Sequence, residues 1–187
     1  MENNPWGDKN LIKVLLENGV VIMPTDTIYG IVGKAQNEQI VDRIYATRQR
    51  SPEKPCIILI GNTKELEKFS IILSEKQKQK IFEYWPGPVS IILDCPDDSF
   101  AYLHRGTKTL AFRLPALQAL RNLLLKTGPL IAPSANPEGF SPAWSIEEAK
   151  KYFGNSVDLY IDGGKIESKA SKLIKLENNS SVAVLRE

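Results

Sequence analysis

Several groups of residues in this chain could do chemistry on a small polar ligand. Pro24-Thr25-Asp26-Thr27-Ile28-Tyr29-Gly30 sets two hydroxyls, a carboxylate and an aromatic ring directly after the apolar run Val20 to Met23. A β-branched run opening into such a bend is where an α/β protein commonly grips a small molecule, although an ordinary turn has the same composition. Arg48, Arg50 and Lys54 lie close together in Arg48-Gln49-Arg50-Ser51-Pro52-Glu53-Lys54-Pro55. Guanidinium forks take phosphate oxygens in pairs and lysine adds a mobile point charge; the same cations at a helix end could simply offset its dipole. Arg113 ends the apolar run from Leu110, a place suited to clamping a carboxylate or a phosphate, or to facing water. Ser134, Asn136 and Ser141 sit in the loop Pro133 to Pro142, which offers hydroxyls, an amide and backbone donors.

Other chemistries are argued against. The chain has no G-x-x-x-x-G-K-[ST] and no G-x-G-x-x-G after a strand, so a nucleotide would be held by side chains and not by a glycine-rich backbone cradle. Two cysteines, Cys56 and Cys95, both lie in apolar runs and read as buried thiols of a reducing compartment; two make neither a disulfide framework nor a zinc site. His104 is the only histidine and lies in an irregular stretch, so no nucleophile–base pair and no covalent nucleophile is assigned. A net charge of +2 is too small to announce nucleic-acid binding, whereas Arg43, Arg48, Arg50 and Lys54, opposed by Asp42 and Glu53, suit a few phosphates. There is no run of about 18 apolar residues, and the amino terminus lacks the basic and apolar regions of a secretory signal. The expectation is a cytoplasmic protein with no membrane segment.

The elements that must position these residues alternate between short β-rich runs and amphipathic stretches, the pattern of an α/β fold. Asp8 caps a first helix with Leu11, Ile12, Leu15 and Leu16 on one face, ended by Asn18-Gly19. Strands are expected at 20–23, 28–33, 56–60, 89–93, 110–114, 130–132, 157–161, 172–176 and 182–185. A helix over 38–48 is stopped by Ser51-Pro52, and a leucine-rich helix spans 116–126. Asn62 with Glu65, Ser74 with Gln77, and Ser145 with Glu148 are capping-box spacings that open three more. Trp85-Pro86-Gly87-Pro88 reads as scaffold, and residues 94–107 as loop. Strands joined without helical crossovers require a mixed sheet. With no repeat and no composition break, residues 1–187 read as a single domain.

Read together, Pro24 to Gly30, Arg50 with Lys54-Pro55, Trp85-Pro86-Gly87-Pro88-Val89-Ser90, Ala111-Phe112-Arg113-Leu114-Pro115 and Pro133-Ser134-Ala135-Asn136 with Gly139-x-Ser141-Pro142 resemble the motifs of the YrdC/TsaC family, in that family's order. Ser171 matches a further family serine; Arg48 stands where the family has lysine, and Lys172 also departs, facing either phosphate or solvent. The resemblance implies a twisted mixed sheet flanked by helices with a concave basic cleft. It implies a threonylcarbamoyl-AMP synthase, joining L-threonine, bicarbonate and ATP with release of pyrophosphate. ATP would bring Mg²⁺ with it, with no metal held by the protein itself. Thr27, Arg113 and Ser134 would hold threonine, and Arg48, Arg50, Lys54, Asn136, Ser141 and Ser171 the nucleotide. The product would pass to a tRNA threonylcarbamoyl transferase complex, for modification of the adenosine beside the anticodon. Weak tRNA or double-stranded RNA binding is also compatible with the family, as is a YciO-like branch without efficient synthase activity. A related carbamoyl-transfer domain of hydrogenase-maturation proteins is a further alternative, set against the missing companion domains.

Overall fold

A computed structural model describes residues 4–51 and 53–187. Its helices are α1 (Lys9–Leu16), α2 (Glu38–Thr47), α3 (Glu75–Phe82), α4 (Ala101–His104), α5 (Gln118–Thr127) and α6 (Ile146–Phe153). Its strands are β1 (Val21–Pro24), β2 (Tyr29–Lys34), β3 (Ile57–Leu59), β4 (Val89–Asp94), β5 (Thr109–Arg113), β6 (Leu130–Ile131), β7 (Leu159–Tyr160), β8 (Lys172–Leu176) and β9 (Val182–Arg186). They form one sheet in the order β7-β1-β2-β6-β3-β5-β4-β8-β9. The pairs β1–β7, β3–β5 and β4–β8 are parallel and the rest antiparallel, so the sheet is mixed.

Side-chain alternation along the strands sorts the core into two sides. Val20, Ile22, Ile31, Ile58, Phe112, Ile91 and Ile174 pack with α2, α3, α4 and α6. The residues between them, Val21, Met23, Val32, Leu59 and Leu130, pack with Leu11 and Leu15 of α1 and Leu120, Leu123 and Leu124 of α5. On this second side, α1 and α5 cover only the part of the sheet near β1, β2, β6 and the end of β3 at Leu59. The residues of the same parity farther along, Ile57, Ile92, Ala111 and Leu173, line a cavity instead.

Several local expectations follow the chemistry closely. Asp8 accepts from Leu11 N at 2.8 Å and opens α1. Ser74 and Gln77 form a reciprocal capping box, at 3.2 and 3.0 Å. Others need correction. Asn62 makes no side-chain cap, and Thr63–Phe69 is a 3-10 helix. Glu65 turns back to Gly61 N at 2.7 Å and to Lys68, so the spacing was present without its bonds. Ser145 accepts from Glu148 N at 3.4 Å, but the Glu148 carboxylate takes Trp144 N, which makes half a box. Residues 98–104 are not loop but a 3-10 turn and α4, because Leu103 reaches the core. α2 ends at Thr47, with Asn37 as its cap; Pro52, read as its stop, lies outside the described residues, as do residues 1–3.

Candidate functional site

The cavity on the uncovered side of the sheet has a volume of about 380 Å³. Its floor is the face of β5 that carries Thr109, Ala111 and Arg113, with Ile92 and Leu173 from the adjoining strands. Thr25 and Thr27 enter from the β1–β2 bend, Ser134 from the loop after β6, Arg48 and Arg50 from the end of α2, and Ser171 and Arg186 from the last two strands. Four guanidinium groups therefore face one small space.

Thr25 organises the bend. Its hydroxyl donates to Ile28 O at 2.7 Å and accepts from Thr27 N and Ile28 N at 3.2 Å each, and it lies 3.2 Å from the Thr27 hydroxyl. Asp26 forms an ion pair of 2.9 Å with Arg113, both side chains almost completely buried. Arg113 Nη2 also donates to Thr25 Oγ1 at 3.3 Å, and its Nε has no partner. Burial pulls the Arg113 pKa down and the Asp26 charge pulls it back up. Asp26 thus orients Arg113 and compensates its charge, which its sequence neighbours alone did not reveal.

Arg48 is 2% exposed. Its Nε donates to Asn136 O at 2.8 Å, and Nη2 to Asn136 Oδ1 at 3.2 Å and Ser134 Oγ at 3.3 Å. All these acceptors are neutral, and Nη1 has none. Burial first, then the like charge of Arg50, push its pKa down to about 10, which still leaves a cation at neutral pH. Arg50 rests on the carbonyls of Lys54 and Pro55 at 3.0 and 3.2 Å. Among the described residues, neither arginine is paired with a carboxylate.

Ser134 is held by backbone pairing of its loop against β2, through Ala135 N to Tyr29 O at 2.9 Å and Ile31 N to Pro133 O at 3.0 Å. Ser171 is buried and lies 2.8 Å from the Ser90 hydroxyl. Its carbonyl accepts from Arg186 Nη2 at 2.7 Å and Nε at 3.1 Å. Arg186 escaped the sequence reading because an arginine ending a terminal β run looks like an edge residue.

Thr27, Arg48, Arg50, Arg113, Ser134 and Ser171 line the cavity; Lys54, Asn136 and Ser141 do not. Lys54 pairs with Glu138. Asn136 is consumed in bracing the loop, with Nδ2 donating to Pro137 O and Phe140 O at 2.9 and 2.7 Å. Ser141 is exposed. Arg43 separates from the cationic group and binds Asp158 at 2.6 Å, while Asp42 pairs with Arg105. Lys172 turns to Glu187 at 2.9 Å. Both cysteines are free and buried, Cys56 at the cavity wall. His104 is buried with Nδ1 accepting from Gly106 N at 3.1 Å. Among the described residues, no group of acidic, cysteine or histidine side chains forms a metal cage, and no helix is long and apolar enough to cross a membrane.

The Sua5/YciO/YrdC family model, described as "Telomere recombination", matches residues 13–187. Threonylcarbamoyl-AMP synthase of Bacillus subtilis (strain 168) is 32% identical over 153 residues, 81% of this chain but 44% of that protein. Threonylcarbamoyl-AMP synthase of Hahella chejuensis is 30% identical over 184 residues, 97% of this chain and 98% of its own length. Among solved structures, Pyrococcus abyssi Sua5 complexed with L-threonine matches with a TM-score of 0.86 at 27% identity, over 97% of this chain and 54% of that one. The chain therefore spans about half the length of the Bacillus and Pyrococcus relatives. A sheet of this order, the motif series along it and a match over nearly its whole length place the chain in the Sua5/YciO/YrdC family.

Proposed function

We propose that this protein is a threonylcarbamoyl-AMP synthase, which uses L-threonine, bicarbonate and ATP and releases pyrophosphate. The observation that carries the reading is the buried Arg48, a cation that among the described residues has an unpartnered Nη1 and no carboxylate pair, at the wall of a cavity that also receives Arg50, Arg113 and Arg186. A protein that holds an unpaired guanidinium out of water pays for it in folding stability, and an anionic ligand offsets that cost. The names of the relatives, and the L-threonine complexed with the Pyrococcus protein, support a threonylcarbamoyl-adenylate product; bicarbonate and ATP are proposed as the sources of its carbonyl and adenylate groups.

In this reading Arg48, Arg50 and Arg186 face the triphosphate, with Lys54 reaching in from the rim and Ser171 beside the nucleotide. Thr27 and Ser134 take the threonine hydroxyl and ammonium end, and Arg113 its carboxylate. Asn136 acts through Arg48, holding its fork, and Ser141, exposed and outside the cavity lining, would meet the nucleotide only from the loop at the rim. The threonine ammonium gives up a proton to solvent, the free amine adds to bicarbonate with loss of water, a carbamate oxygen attacks the α-phosphorus, and pyrophosphate leaves. Charge shifts toward the leaving phosphates, so fixed guanidinium groups lower the barrier by electrostatics and positioning, without a covalent protein intermediate. Mg²⁺ would arrive on the triphosphate, since the described residues offer it no cage. Transfer onward to tRNA, by a partner transferase, belongs to the same proposal.

The test is pyrophosphate release by the purified protein, with ATP, threonine and bicarbonate each omitted in turn. Release that needs all three supports the synthase. ATP binding with no threonine-dependent release favours a YciO-like protein instead.

A further inference from the structure

Glu138, in the loop between β6 and α6, presents a carboxylate to the segment read as a phosphate grip. Its backbone N–H donates to Arg48 O at 2.8 Å, which fastens it to the end of α2. Its carboxylate accepts from the Ser51 backbone N–H through Oε2 and pairs with Lys54 Nζ through Oε1. A backbone amide and an ammonium converging on one carboxylate are the donors that would hold a phosphate oxygen. The cations beside it are bound differently. Arg48, Arg50 and Arg186 line the cavity with only neutral oxygens as hydrogen-bond partners.

We propose that Glu138 is an internal anion that competes with the nucleotide's phosphates for Lys54 and the Ser51 amide, and so sets the affinity of the site for polyphosphate. This rests on the reading of the cavity as an ATP site. For Lys54 to reach a phosphate it must leave Glu138, and the Ser51 amide must change acceptor; an arriving phosphate makes good both losses. The contact is partly open to water, with the Lys54 side chain 59% exposed and that of Glu138 28%. An exposed pair is weak and screened, so Glu138 tunes binding and does not block it. Its negative charge also lowers the local potential felt by every incoming anion.

Calorimetric titration of ATP and of tripolyphosphate into the wild-type protein, Glu138→Gln and Glu138→Ser tests this at low and at high salt. Glutamine keeps an acceptor for Ser51 N and removes the charge; serine removes the side chain's reach and guards against a defect peculiar to glutamine. Both variants should bind tighter by up to about fivefold at low ionic strength. For Glu138→Gln, which keeps the acceptor for Ser51 N, the gap should close at about 1 M salt, where the screening length is about 3 Å. Glu138→Ser also frees the Ser51 amide, a hydrogen bond that salt does not screen, and should keep part of its gain. Affinity equal to or weaker than wild type in both variants, or a Glu138→Gln gap that persists in salt, overturns the proposal while ATP binding by the wild type leaves the synthase reading standing. If no form binds either ligand, the ATP reading of the cavity falls, and this inference with it.

Discussion

Arg48 shows how a single residue can hold a site ready for an anion. Its guanidinium is 2% exposed, is braced by Asn136 and Ser134, and has one nitrogen without a partner. Lysine at this position would keep the charge but lose the fork, and a single ammonium cannot reproduce both contacts to Asn136. Arg48→Lys should therefore weaken ATP binding and adenylate formation, yet by no more than about tenfold, roughly 1.4 kcal/mol, if charge is what the cavity needs. Calorimetry with ATP and a threonine-dependent product assay measure the two effects. A loss of a hundredfold would show that fork geometry is required, and a gain in product would mark the protein as a divergent branch. At this scale much of the site was legible: the cations and hydroxyls stand out by type and by their positions at the ends of strands and of α2. Their partners were not. Asp26 reads as a turn residue and Glu138 as a loop charge until the chain closes and brings them to Arg113 and Lys54.

Among the elements, α2 carries Arg48 at its end, and its seat against β2 decides where that guanidinium lies. A Cβ added at Gly33 would lie 2.4 Å from Ile40 Cγ2 and 3.2 Å from Ile44 Cδ1, so helix and strand approach as closely as they do only because residue 33 is glycine. Gly33→Ala should push α2 away, costing about 1–3 kcal/mol in stability as overpacking does. Because the displacement is carried to Arg48, ATP affinity should fall as well. Urea unfolding and ATP titration on the same preparation would separate the two, and a destabilised protein with unchanged ATP affinity would uncouple α2 from the site. Periodicity exposed α2 and the alternating strands because their buried faces repeat regularly, as with Ile40, Val41, Ile44 and Tyr45. It failed where one residue decides the outcome: Leu103 draws a short helix from a polar stretch, and Glu65 prefers Gly61 N to a cap.

Over the whole molecule, the cavity gathers side chains from Thr25 to Arg186, so its shape depends on the complete sheet and not on one motif. The sequence pattern could announce a mixed sheet but not which strands become neighbours. The strand order sets β5 between β3 and β4, and the β1–β2 bend reaches across to it, where Asp26 and Thr25 meet Arg113. Under the proposed synthase reading, that assembly bears on amino-acid selectivity. Arg113, compensated by Asp26, stands close to the paired hydroxyls of Thr25 and Thr27, with Ser134 on the same cavity. A substrate that brings its own hydroxyl can pair with these groups. Valine has nearly the shape of threonine but offers no partner for the spare hydrogen-bonding capacity of the Thr27 and Ser134 hydroxyls, each of which already has one partner, so it should fall behind by about tenfold to a hundredfold. Serine keeps the hydroxyl, loses one methyl, and should fall behind threonine by only about tenfold. Pyrophosphate release at matched concentrations of threonine, serine, valine and 2-aminobutyrate measures the order, and valine and 2-aminobutyrate should both be poor. Thr27→Val should narrow the gap between threonine and valine, since it removes a hydroxyl that threonine can bond and valine cannot. If wild-type protein turns over valine as well as threonine, the pocket reads shape alone, and the roles given to Thr27 and Ser134 fall while the phosphate half of the site is untouched.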